Sequence, residues 1–129
     1  MAGPVFGRVN AEGLEEGRVT TPEGKVKNMV KDLLADYDIQ PAAKAGTFLV
    51  AAGWYYMPVQ GASFGVKGIP DFIGQYRGMF WAIETKAPKK KPTGFQQLQI
   101  NTIRCSGGAV FVVDGEESLT KFEGWLLGR

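Results

Sequence analysis

The sequence contains no histidine and one cysteine in 129 residues. Without an imidazole there is no Ser-His-Asp triad, no histidine general base and no histidine-held zinc. The lone thiol, Cys105, closes no internal disulfide, which fits a reducing compartment. It is expected as a small core residue. No apolar run approaches the roughly 20 residues that span a bilayer. The first residues also lack the basic stretch and apolar block of an export signal. A soluble cytoplasmic protein is therefore expected. A large excess of one charge is missing too. Fifteen Lys and Arg against 13 Asp and Glu leave +2, too little to name a polyanionic partner from the mean alone.

What is present is an ordinary globular balance, 44% hydrophobic and 22% charged, in a length that suits one domain with a real core. A metal bound here would need oxygen ligands, which points to Mg²⁺, Mn²⁺ or Ca²⁺. Residues 1–20 are glycine-rich without period and read as a loose N-terminal arm, leaving 21–129 as the domain.

The first helix begins at Thr21, a good N-cap, with Pro22 at the first helical position. Val26, Met29, Val30, Leu33, Leu34 and Tyr37 recur along it at helical spacing. Pro41 and Gly46 bracket a linker, and "FLVAAGWYYMPV" follows as one or two strands, with Pro58 marking an edge or an end. "GASFGVKG" reads as a loop. "DFIGQY" and "MFWAIETK" then form a β-hairpin turning at Arg77-Gly78. Thr93 to Gln96 has the Thr-x-x-Gln form of a capping box. The helix it opens runs to about Ser106, with Leu98, Ile100, Ile103 and Cys105 available for burial, until Gly107 and Gly108 stop it. "AVFVV" is a buried strand. A last amphipathic helix carries Leu119, Phe122, Trp125 and Leu126. This order predicts an α/β layered domain with a mixed β-sheet flanked by α-helices.

The hairpin register places the chemistry. A tight turn at Arg77-Gly78 pairs Tyr76 with Met79, Gln75 with Phe80, Ile73 with Ala82 and Asp71 with Glu84. Opposed residues bring their Cβ atoms to about 4.5–5.5 Å, so two carboxylates meet and repel unless a positive charge lies between them. Lys86, two residues beyond Glu84, points to the same face. Alone, Glu84-x-Lys86 is the pattern of a surface ion pair worth under about 1 kcal/mol; the opposed Asp71 is what argues for a hard-metal site. Mg²⁺ takes one or two protein carboxylates and leaves the rest of its shell to water and phosphate. The lysines of "KAPKKK" are either a solvated loop or, beside this acid pair, contacts to a phosphate backbone.

"GIPDFIGQYRGMFWAIETK" resembles the PD-(D/E)xK nuclease signature. The wider set resembles the VRR-Nuc (virus-type replication-repair nuclease) family: Glu23 on the first helix, "GIPD", "ETK", Gln96 on a following helix, and Gly107-Gly108 before "AVFVV". The likeness covers roughly residues 21–113. It implies a restriction-endonuclease-like core and a Mg²⁺- or Mn²⁺-dependent DNA endonuclease. Asp71, Glu84 and the Thr85 main-chain carbonyl would hold the metal, with Glu23 reaching its second side. Lys86 would position or activate the attacking water. Gln96 would orient the phosphate or the lysine, with Gln97 and Gln99 as alternatives. Lys67, Lys89, Lys90 and Lys91 are the expected DNA contacts. Small stand-alone members resemble homodimeric junction resolvases, so branched DNA and a homodimer are expected here. Trp125, or Trp54 and Tyr55, either supply the apolar patch of that dimer or belong to the core.

Overall fold

In a computed structural model, residues 21–42, 51–59 and 66–129 are described. The expected arm, the middle of the linker, "FLV" and most of "GASFGVKG" lie outside the described residues. The elements are α1 (Pro22–Asp36), β1 (Ile39–Pro41), β2 (Gly53–Tyr56), β3 (Phe72–Tyr76), β4 (Met79–Thr85), α2 (Gly94–Cys105), β5 (Ala109–Val113) and α3 (Glu116–Leu127). The strands form one sheet in the order β1-β2-β3-β4-β5. β1 runs parallel to β2 and β4 parallel to β5, while β2-β3 and β3-β4 are antiparallel. This is the mixed α/β architecture expected.

Local chemistry accounts for the boundaries. Thr21 Oγ1 accepts the Gly24 N–H at 3.0 Å, satisfying one of the orphan donors of α1. In the hairpin, Arg77 (φ 51°) and Gly78 (φ 84°) both take positive φ, the left-handed pair that matches strand twist in a two-residue turn. Gln75 Oε1 fastens the turn by accepting Gly78 N–H at 2.8 Å. The observed register pairs Tyr76 with Met79, Gln75 with Phe80 and Ile73 with Ala82.

The two faces of the sheet are covered unequally. On one, Val26, Val30 and Leu34 of α1 and Phe122 and Leu126 of α3 pack on Tyr55, Phe72, Tyr76, Trp81, Ile83 and Val113. On the other, α2 sets Ile100 and Ile103 against Ala82, Val110, Ile73 and Val112. Leu98 and Cys105, both expected in the core, are instead exposed. At about 100° per residue they lie some 200° and 140° around the helix from Ile100, so the stripe that buries Ile100 turns both to solvent. β1 is not anticipated by the sequence pattern: Ile39 and Gln40 fall between the first helix and the linker that Pro41 opens. Ile39 is buried, but three residues ending in Pro41 give no alternation to recognise, and an edge strand tolerates the missing proline N–H. Tyr55 is 8% exposed, and Trp125 stacks against Phe122 at 6.2 Å. Both face inward, and exposed apolar side chains lie at the end of β2 and just beyond it, at Tyr56, Met57 and Val59.

Candidate active site at the open end of the hairpin

The β3–β4 ladder ends with Phe72 opposite Ile83. Asp71 and Glu84 come one step beyond, at the hairpin's open end, Asp71 just before β3 and Glu84 as the next residue of β4. Asp71, Glu84 and Thr85 are the buried polar or charged side chains of the described core. Asp71 Oδ2 accepts two hydrogen bonds from Thr85, the main-chain N–H at 2.9 Å and Oγ1–H at 2.6 Å. That fixes the carboxylate and occupies one oxygen. Among the described residues, the ion pair at Oδ1 is with the Lys27 ammonium at 3.9 Å.

Glu84 is 1% exposed, and its Oε1 has no hydrogen-bond partner. Burial and then the Asp71 charge push its carboxyl up from 4.5 to about 8, offset in part by the Lys86 charge and a main-chain hydrogen bond from Asp71. An unsatisfied buried polar group costs about 1–3 kcal/mol, so this oxygen is poorly accounted for by folding alone. Asp71 Oδ1 and Glu84 Oε1 are both oxygens with lone pairs to spare. Among the described residues no three His, Cys, Asp or Glu side chains converge. The two carboxylate oxygens, Asp71 Oδ1 and Glu84 Oε1, are a donor pair of the kind a hard cation takes when water and phosphate oxygen complete its shell.

Lys86 is half-buried, and its Nζ donates to Gln96 Oε1 at 3.2 Å. The same oxygen accepts Thr93 N–H at 2.8 Å, while Thr93 Oγ1 accepts Gln96 N–H at 3.3 Å. The capping box and the hold on Lys86 are thus one arrangement. Gln97 instead bonds Asn101 on the exposed side of α2 at 2.8 Å.

Glu23 lies half-buried in the first turn of α1, and Lys27 stands between it and the site, 3.5 Å from Glu23 Oε2. Sequence reasoning missed Lys27. The signal was available: a lysine at i+4 shares the face of the glutamate, so a Glu23 turned toward the site brings Lys27 with it. Lys89, Lys90 and Lys91 are exposed in the loop after β4. Lys90 N–H closes a turn onto Ala87 O at 3.0 Å, with Lys89 at φ 68°. Lys67 Nζ sits 5.2 Å from the Phe95 ring centroid.

No protein-family model matches this chain, and no curated protein does. A solved structure described as a VRR_NUC domain does. It superposes with a TM-score of 0.62 at 23% identity, over 81% of this chain and 97% of its own length. The sheet that carries Asp71, Glu84 and Lys86 is thus the fold of a VRR-Nuc domain.

Proposed function

We propose that the protein is a divalent-metal-dependent endodeoxyribonuclease that hydrolyses phosphodiesters, is selective for branched DNA and works as a homodimer. The observation that carries the reading is the orphaned Glu84 oxygen beside Asp71 in a polar cluster buried at the mouth of an apolar hairpin. Asp71, Glu84 and the Thr85 carbonyl would hold Mg²⁺ or Mn²⁺, with Glu23 next in line behind Lys27. Bound there, such an ion lowers the pKa of a water and neutralises charge on the scissile phosphate.

The chain's own residues do the positioning. Thr85 fixes the Asp71 carboxylate. Gln96 uses one of the three ammonium donors of Lys86, leaving two to aim at an attacking water and at a phosphate oxygen. Gln96 Nε2 remains to donate to the phosphate. Exposed Lys67, Lys89, Lys90 and Lys91 would take backbone phosphates. Resolving a four-way junction takes two cuts, hence two chains.

The test is cleavage of a labelled four-way junction by the wild-type chain with Mg²⁺, Mn²⁺ or chelator, beside Asp71→Ala and Lys86→Ala. Paired, metal-dependent nicks that both variants lose are expected. Cleavage surviving Asp71→Ala would overturn the site. Tight junction binding without cleavage in either metal would make the chain a DNA-binding module. A one-chain mass at working concentration would remove the dimer.

A further inference from the structure

We propose that Phe95 is a stacking platform for an unpaired base beside the hydrolytic site, so that the enzyme selects DNA in which pairing is interrupted; this rests on the nuclease reading above. Phe72 and Phe122 are fully buried, whereas Phe95 is 56% exposed in the first turn of α2, with Leu98 one turn on at 57%. It directly precedes Gln96, whose side chain holds Lys86.

Its backbone packs closely against the loop that delivers Asp71. Gly68 (φ 81°) lies so close that a Cβ there would come within 2.4 Å of the Phe95 carbonyl carbon and oxygen and 2.7 Å of Gln96 N. The main chain that bears the ring is therefore set close to the Asp71 loop through Gly68 and to Lys86 through Gln96.

The surroundings favour a polyanion. Lys67 Nζ lies over the ring at 5.2 Å, Lys86 is next to Gln96, and the first turn of α2 carries no acid. A second copy is a poor occupant, because a twofold contact would set these lysines against themselves. Aromatic side chains stack on any base, so a platform of this kind reads the loss of pairing and not the sequence. Flaps, forks and open branch points supply such a base.

The test uses the full chain under chelator, so that no cleavage intervenes, with a fork carrying 2-aminopurine at its first unpaired position and a fully paired duplex of the same sequence. Wild type should quench the 2-aminopurine on binding. Phe95→Ala should lose the quench and bind the fork roughly 5- to 150-fold more weakly, with duplex affinity within about twofold. Phe95→Trp should restore both. Equal weakening on fork and duplex, or no weakening, overturns the platform, as does a Phe95→Ala chain that changes oligomeric mass instead of fork affinity. Phe95-dependent fork binding by a chain that cleaves nothing in Mg²⁺ or Mn²⁺ would sink the nuclease reading and leave the platform standing.

Discussion

Trp81 and Glu84 stand three residues apart on β4 and face opposite sides of the sheet. Each is buried and carries a polar atom without a hydrogen-bond partner, Trp81 Nε1 and Glu84 Oε1. The indole lies opposite Gly74 in the ladder, 5.2 Å from the Phe122 ring. Burying an aromatic side chain of 150–250 Å² stabilises by about 4–6 kcal/mol, which outweighs the roughly 1–3 kcal/mol of one unmade hydrogen bond. A carboxyl has little apolar area to offset the same cost. One orphan is the by-product of packing a large ring; the other, on the proposed function, is the oxygen left for the metal.

The comparison breaks most visibly at Glu84. Glu84→Gln keeps the shape and removes the charge that a cation needs. Mn²⁺ binding by calorimetry should disappear, and cleavage should fall by roughly 100-fold or more, since a bound metal is worth several kcal/mol. Stability should move the other way. The folded carboxyl titrates near 8 against an ordinary 4.5, so between those values the folded state keeps a proton that the unfolded state has released. Metal-free wild type is then favoured by this group at low pH and loses that stability as pH rises through the window, at no more than about 1.4 kcal/mol per pH unit. Melting temperatures at pH 5 and pH 8 should show the fall in wild type and a flatter line in Glu84→Gln. Mn²⁺, which requires the carboxylate, should bind more tightly toward pH 8. A wild-type profile as flat as the variant's would mean that Glu84 is ionised and satisfied in the free protein.

The opposite orphan gives a purely structural effect. A Cβ at Gly74 would meet Trp54 O at 2.4 Å and Trp81 Cζ2 at 2.6 Å, one of them main chain that cannot step aside. Gly74→Ala should therefore destabilise by about 1–3 kcal/mol in denaturant titration while the folded protein binds Mn²⁺ as wild type does. Loss of metal affinity in parallel would show that the two faces of β4 are coupled and that the contrast between them is overstated.

What could be read in advance follows the same division between local and long-range physics. The α1 cap, the Arg77-Gly78 turn and the strand pairs it sets are decided by residues within a few positions of one another, and all were legible. The nearness of Asp71 and Lys86 to Glu84, whose carboxyl feels both charges, follows from the same turn and the position of the three residues at its open end. Lys27 was legible only as the i+4 partner of Glu23; its contact with Asp71 joins α1 to the start of β3, and no local pattern announces that. Leu98 and Cys105 were misplaced for a related reason: apolar spacing along α2 does not say which arc of the helix meets β5. Phe95 is apolar and yet exposed, and no local pattern announces the close approach of Gly68 to its main chain.

The smallest effect separates two roles that one residue carries. Thr93 and Gln96 cap α2 reciprocally, but only Gln96 also holds Lys86. Thr93→Ala removes the hydroxyl that accepts Gln96 N–H and should cost about 1 kcal/mol of stability, with cleavage at saturating DNA nearly unchanged. Gln96→Ala should cost a similar amount, because Thr93 N–H then loses its acceptor. It should also slow cleavage by roughly 10–100-fold, the usual penalty for freeing a group that another side chain orients. That loss should fall on kcat more than on KM, since a mobile Lys86 still attracts phosphate but no longer aims at the reacting atoms. Equal cleavage by the two variants at matched stability would reduce Gln96 to a helix cap, and the lysine would then be oriented by its strand alone.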